Sequence, residues 1–243
     1  MKKMLKGSAL LLSMAVLFSA CLKNNDSQVN VPAGGLMAFN LSPDAGGIGI
    51  KLDGNNLVRT PVFYTNFTGG YLPVYVGNRT AWAFDYYSGV MLTRQTGFNV
   101  VDSQYYSLFV VSSDSNFKTV IVNDHLDSLG YEEGYAFVRY INAIADSTLQ
   151  PEVKLGTGDM NPVAERPAFA AVSAFRKLSA GTAMVSVKGA GGVDVSRPIT
   201  LEANKVYTVL LLGKPGASGD KSVQIKYIVN GTVDKTAGTA QGS

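Results

Sequence analysis

One short pattern returns after about a hundred residues, and it limits the possible folds more than any bulk property does. Phe39-Asn40-Leu41-Ser42-Pro43-Asp44 is echoed by Ile141-Asn142-Ala143-Ile144-Ala145-Asp146: an apolar residue, Asn, three residues, then Asp, each time after a strand-like run. Further matches follow in the same order. Val153-Lys154-Leu155 repeats Ile50-Lys51-Leu52, Pro167-Ala168-Phe169 repeats Pro61-Val62-Phe63, and Phe175, Leu178 and Gly181 repeat the spacing of Tyr71, Val74 and Gly77. Tyr207 and the apolar run after it answer Tyr106, and Tyr227-Ile228-Val229-Asn230 answers Val120-Ile121-Val122-Asn123. The offset stays between 101 and 107, as expected of one module written twice with small gaps at turns.

The module reads as β throughout. Ile48, Ile50 and Leu52 alternate with Gly49, Lys51 and Asp53, the period of a half-buried strand, and Asp53-Gly54 closes it with turn chemistry. Other strand candidates are Leu36–Phe39, Tyr71–Val76, Thr80–Tyr87, Tyr105–Ser112 and Lys118–Val122, each flanked by Gly, Asn, Asp or Pro. Ala168–Leu178 is rich in Ala and would pass as a helix by propensity. Its counterpart Phe63–Val74 carries Gly69, Gly70 and Pro73, which a helix does not tolerate, so loop and strand are expected in both. The expectation is an all-β chain of two tandem immunoglobulin-like antiparallel β-sandwich domains, 36–127 and 135–233, joined by a linker at 128–134 and followed by a disordered tail at 234–243.

Residues 1–20 form a signal peptide, with Lys2, Lys3 and Lys6 ahead of a short apolar block and Ser19-Ala20 at its end. The only cysteine, Cys21, follows directly, and Leu17-Phe18-Ser19-Ala20-Cys21 resembles a bacterial lipobox, with Phe18 where Leu is commonest. The resemblance implies an acylated Cys21 held in a lipid bilayer, a flexible tether over 21–35, and an outer-membrane lipoprotein. Of 21 Lys and Arg residues, the leader removes three and leaves 18 against 18 Asp and Glu. A neutral mature chain lacks the electrostatic footprint for nucleic acid.

Asn40, Ser42, Pro43, Asp44, Asp53, Gly54, Tyr71, Val74, Gly77 and Tyr106 together resemble the domain-of-unknown-function 4397 family, envelope domains that often occur in tandem behind a lipobox. The second copy is degraded, with Ala143-Ile144-Ala145 for Leu-Ser-Pro and Gly156 for Asp53. The resemblance implies location and fold, and brings no catalytic residue.

No cofactor or metal site is expected. Asn40, Asp44 and Asp53 are better read as turn and strand-end hydrogen-bonding residues than as a calcium shell, which needs six or more oxygens. His125 is the only histidine and no nucleophile elbow exists, so neither a zinc site nor a Ser-His-Asp triad is expected. A hydrolase would need a carboxylate pair, for which Glu132-Glu133, or Asp85 with Glu165, are the material. The uneven feature is aromatic: fifteen rings lie between Leu36 and Ser128, against seven between Tyr135 and Thr232. Trp82, Phe84 and Tyr86 are expected to face the sandwich core. On the other face, Asp85 and Tyr87, with Tyr64, Phe67 and Tyr75 nearby, form the candidate platform for a glycan or an envelope protein. A non-catalytic binding, structural or adhesive role follows.

Overall fold

The computed structural model describes residues 31–157 and 163–235. The leader, Cys21 and most of the expected tether and tail lie outside the described residues.

The first copy runs through β1 (Ala33–Asn40), β2 (Gly47–Leu52), β3 (Asn55–Asn56), β4 (Val62–Phe63), β5 (Leu72–Tyr75), β6 (Gly77–Asp85), β7 (Met91–Val100), β8 (Tyr105–Ser113) and β9 (Asn116–Asn123). The second runs through β10 (Tyr135–Ile144), β11 (Glu152–Thr157), β12 (Val163–Glu165), β13 (Arg176–Ser179), β14 (Gly181–Gly189), β15 (Val193–Leu201), β16 (Lys205–Gly213) and β17 (Gln224–Thr232). Each copy is a two-sheet sandwich. The sheet orders β5-β1-β8-β9 and β3-β2-β6-β7 are answered by β13-β10-β16-β17 and β12-β11-β14-β15. The chain is therefore all-β, two immunoglobulin-like sandwiches in tandem, and the duplication extends to topology. Pairing is antiparallel apart from β1 with β8 and β10 with β16, which run parallel in both copies.

β7 and β15 were not among the expected strands. β7 shows most of its residues to solvent and buries little beyond Leu92, Phe98 and Val100, so its apolar period is thin. β15 carries Pro198, which an edge strand tolerates because its missing N–H costs no ladder bond. The expected tether also ends early. Gly34 and Gly35 belong to β1, where a Cβ would meet Val100 at 2.8 Å and the Tyr105 ring at 2.6 Å, so they are glycines by close packing. The linker is packed rather than free: Leu126, Leu129 and Tyr131 lie against Phe137, Val206 and Val233, and Tyr135 donates its backbone N–H to the Glu132 carbonyl.

Two cores fill the sandwiches. One holds Leu36, Ala38, Ile48, Ile50, Ala81, Ala83, Leu108 and Val110; the other holds Val138, Tyr140, Val153, Leu155, Val185, Val187, Val209 and Leu211. A third core joins the copies. Met37, Phe39, Leu41, Phe109 and Val111 from one pack against Ile141, Ala143, Leu210 and Leu212 from the other. The layers run outer, inner, inner, outer, and both inner sheets are covered on both faces. That is why β1, β8, β10 and β16 read as continuous apolar runs without alternation.

Polar residues close one end of this third interface. Arg139 meets Asp124 at 2.7 Å, donates to Thr208 Oγ1 at 3.0 Å and Ser107 Oγ at 2.8 Å, and lies over the Phe175 ring. Ser107 and the Tyr71 hydroxyl donate to Asp124, and Asn230 links Tyr71 to Thr208. Burial and the Asp124 carboxylate push the Tyr71 hydroxyl far above its ordinary range. Charges of both copies are thus paired out of water across the joint, the one arrangement in which a buried charge is tolerated.

The repeated Asn holds the same place twice. Asn40 Nδ2 donates to the Ala45 and Val62 carbonyls and its Oδ1 accepts from the Ser42 N–H. Asn142 Nδ2 donates to the Pro167 and Ala168 carbonyls and its Oδ1 accepts from the Ile144 N–H. The second copy thus keeps the bonds to the later loop and the turn, while the bond to Ala45 is replaced by a second one to the loop. Asp44 reaches across to Ser112 Oγ and the Ser115 N–H, whereas Asp146 closes its own turn on Thr148 and Leu149. Asp53 sits at the far end of β2 from Asp44, where it accepts from the Thr80 N–H and pairs with Arg79 at 3.0 Å. The Thr80 bond and then Arg79 hold its carboxyl below the usual range.

Candidate functional site

The solvent face of the first outer sheet carries aromatic rings. On β2, Ile48 and Ile50 point into the core, so Gly47, Gly49 and Lys51 point outward. On β6 the buried residues are Ala81 and Ala83, which turns Trp82 and Phe84 outward. The expected phase of this strand is therefore reversed: its period of two is right, but the alanines face the core and the large rings do not. Periodicity gives alternation without sign. The sign was readable from the partner strand, since Gly49 opposite Phe84 leaves room for a ring only on the glycine side.

Cross-strand register assembles these residues into two rows. One is Gly49, Phe84, Met91; the other is Lys51, Trp82, Arg94. The Phe84 ring lies on the Gly49 backbone, where a Cβ would come within 2.2 Å of it. The Lys51 ammonium sits 4.8 Å from the Phe84 centroid, and the Arg94 guanidinium 5.5 Å from that of Trp82. Beside them, Phe63 and Tyr87 flank Gly47, within 3.7 and 3.3 Å of its would-be Cβ. Tyr87 is 71% exposed, Met91 59% and Phe63 49%, so the face presents apolar surface to solvent.

The five residues expected to form one platform are dispersed. Tyr87 is on this face. Asp85 serves its own turn, its Oδ1 accepting from the Tyr87 and Ser88 N–H groups and the Ser88 hydroxyl. The Ser88 bonds hold that carboxyl below its usual range. Tyr87 lies past the end of β6, whereas Tyr75 ends β5 just before β6 begins, a strand of nine residues or about 30 Å away. There it lines a shallow pocket of about 370 Å³ with Pro73, Asp53 and Arg79. Tyr64 and Phe67 pack against the third core, with Phe67 stacked 5.4 Å from Phe39. Burial, then Asp220 and Asp44, push the Tyr64 hydroxyl up to about 12, and it has no hydrogen-bond partner among the described residues.

The carboxylates available for hydrolysis do not converge. Glu132 pairs with Lys177, and Glu165 pairs with Arg176 and accepts from the Tyr140 hydroxyl. Asp85 and Glu165 stand on the outer sheets of different copies. His125, exposed and in a left-handed conformation, organises the short helical turn at Leu126–Ser128 through its carbonyl.

No protein-family model matches the chain. No curated protein matches it by sequence. Among solved structures, it is similar to a candidate cell adhesion protein from Bacteroides uniformis at 10% identity and a TM-score of 0.21, covering 82% of this chain and 96% of that one. A candidate cell adhesion protein from Bacteroides eggerthii gives 10% identity and 0.24, covering 83% and 97%. The fimbrial anchor protein Mfa2 from Porphyromonas gingivalis gives 8% and 0.19, covering 83% and 100%. Scores this low carry nothing beyond the likeness itself. Among the described residues, no helix is long and apolar enough to cross a membrane.

Proposed function

We propose that this protein is a lipid-anchored component of the bacterial cell envelope, held at Cys21 in the outer membrane, with a non-catalytic structural or adhesive role. Membership of the domain-of-unknown-function 4397 family is part of the same reading and rests on the Asn40–Asp44 turn, Asp53-Gly54 and the Tyr71, Val74 and Gly77 spacing.

The observation that carries the role is the third core. It continues apolar packing from one copy into the other, with Phe39 and Phe109 against residues of the second copy, and closes on the Arg139–Asp124 pair. Two sandwiches fused this way move as one body, so a lipid at the N-terminus tethers everything the far face presents. The charged groups buried most deeply, Arg139 and Asp124, are paired with each other and bonded by Ser107, Thr208 and Tyr71 across that joint. A mechanical or presenting role follows from such an allocation more readily than an acid–base one.

Cell fractionation tests the anchor. The native chain is expected in the membrane fraction and Cys21→Ala in the soluble fraction. A Cys21→Ala protein that still sediments with membranes overturns the reading.

A further inference from the structure

We infer that the outward face of the first outer sheet is a docking surface for an acidic glycan, one bearing carboxylate or sulfate groups. This deepens the adhesive reading by naming what the body presents and what it meets.

The second copy is an internal control. Its outer sheet has the same strand order, and β11 pairs with β14 in the register of β2 with β6. β7 differs from β15 by two bulges against its partner, but the two rows still have counterparts. The row Gly49, Phe84, Met91 becomes Glu152, Lys188, Asp194; the row Lys51, Trp82, Arg94 becomes Lys154, Ser186, Ser196. There the cations meet acids, Lys154 with Glu152 at 2.7 Å and Lys188 with Asp194 at 3.4 Å. The sandwich thus closes without rings on this face. What Trp82 and Phe84 do in the first copy is not demanded by the fold.

The chemistry of the face selects the partner. Trp82 and Phe84 sit two residues apart on one strand, about 6.7 Å, and offer successive flat surfaces of the kind that C–H faces of sugar rings stack on. Phe63 and Tyr87 extend that surface past the strand end. Lys51 and Arg94 lie beside the rings, and among the described residues neither forms an ion pair with a carboxylate, in contrast to Lys154 and Lys188. A cation held over a ring and lacking an acidic partner is placed to meet an anion carried by the stacking ligand. Neutral polymers would use the rings and ignore both cations. Nucleic acid carries far more charge than two isolated cations on an otherwise neutral chain would answer.

The test uses the full chain in detergent with three probes: polygalacturonate, heparin and neutral dextran. Trp82 is the only tryptophan, so its emission reads the face directly. The inference expects an emission change and gel retardation with the two acidic polymers and not with dextran. Lys51→Gln with Arg94→Gln, and separately Gly49→Glu with Phe84→Lys, are each expected to weaken retention about tenfold or more. The second pair imports a row on which the other sandwich already folds, and an unchanged thermal midpoint confirms that the variant is intact. Equal binding of dextran, or acidic binding that survives both variants, overturns the inference. So does concentration-dependent dimerisation abolished by Phe84→Lys, which would make the face a contact between copies of this chain. None of these outcomes bears on the anchor, whose own failure is read separately in the Cys21→Ala fractionation.

Discussion

The two outer sheets share strand order and the register of their central strand pairs, yet differ at most positions of the two outward rows. The two inner sheets share the register of their parallel central pair, and there the copies remain alike. Asn40 and Asn142 each bind two backbone carbonyls and the N–H two residues on, and Thr65 and Ala170 both take a left-handed conformation while donating their N–H to the carbonyl of that Asn. Burial explains the contrast. A residue packed on both sides cannot change without opening a cavity or stranding a polar group, while an outer face is free to be rewritten for use. Divergence between the copies is therefore concentrated on the outer faces, and the aromatic rows of the first sandwich are its clearest instance.

The strongest way to break this comparison is to disturb the inner joint. Arg139→Ala leaves Asp124 buried without its cation and is expected to cost about 3–5 kcal/mol, seen as a lower denaturant midpoint by Trp82 fluorescence. Loss of well under 1 kcal/mol would mean that the joint carries little of the stability. The twin asparagines come next. Asn40→Ala and Asn142→Ala each strand two carbonyls and one N–H, and each should cost roughly 2–4 kcal/mol, with the two values within about 1 kcal/mol of each other. A large inequality would show that the copies are not equivalent inside.

The outer face should respond the opposite way. Gly49→Glu with Phe84→Lys and Met91→Asp copies the second sandwich's row onto the first and removes one ring contact with Lys51. Stability is expected to move by no more than about 1 kcal/mol by thermal melting. Collapse of the fold would show that the rings are structural.

These contrasts also explain what could be read from the chain. The duplication, the β class and the Asn40 turn were legible because they depend on local period and on residues repeated at one spacing. The third core was not, because continuous runs such as Leu108–Val111 state that both faces are covered without naming the cover. Arg139 inside an apolar strand was the available hint, since a lone charge there requires a partner from elsewhere. The aromatic platform was half legible. Tyr87 was placed correctly at the surface, but Trp82 and Phe84 were assigned inward because alternation does not state which phase faces the core, and Tyr64 and Phe67 are held by the inner joint.

The smallest effect concerns that joint and its own asymmetry. The Thr65 and Ala170 bonds to the repeated Asn set this loop one residue off the sequence match of Phe63 with Phe169. Tyr64 in the first copy therefore stands where Phe169 stands in the second, both packed on the third core, and the Tyr64 hydroxyl is buried without a hydrogen-bond partner among the described residues. Tyr64→Phe removes an unsatisfied group, so stability at neutral pH should be unchanged or rise by a few tenths of a kcal/mol. The pH dependence is more telling. Burial raises the folded Tyr64 hydroxyl from 10.0 to about 12, so its contribution is fully present below the unfolded value and is lost as pH climbs from about 10 through 12. Tyr71, raised further by burial and Asp124, adds to the same alkaline decline. Denaturant midpoints measured from pH 9 to 12 should therefore fall for the native chain and fall less steeply for Tyr64→Phe. Parallel curves would show that this hydroxyl does not stay protonated in the joint, and would remove Tyr64 from the interface on which the rigid body depends.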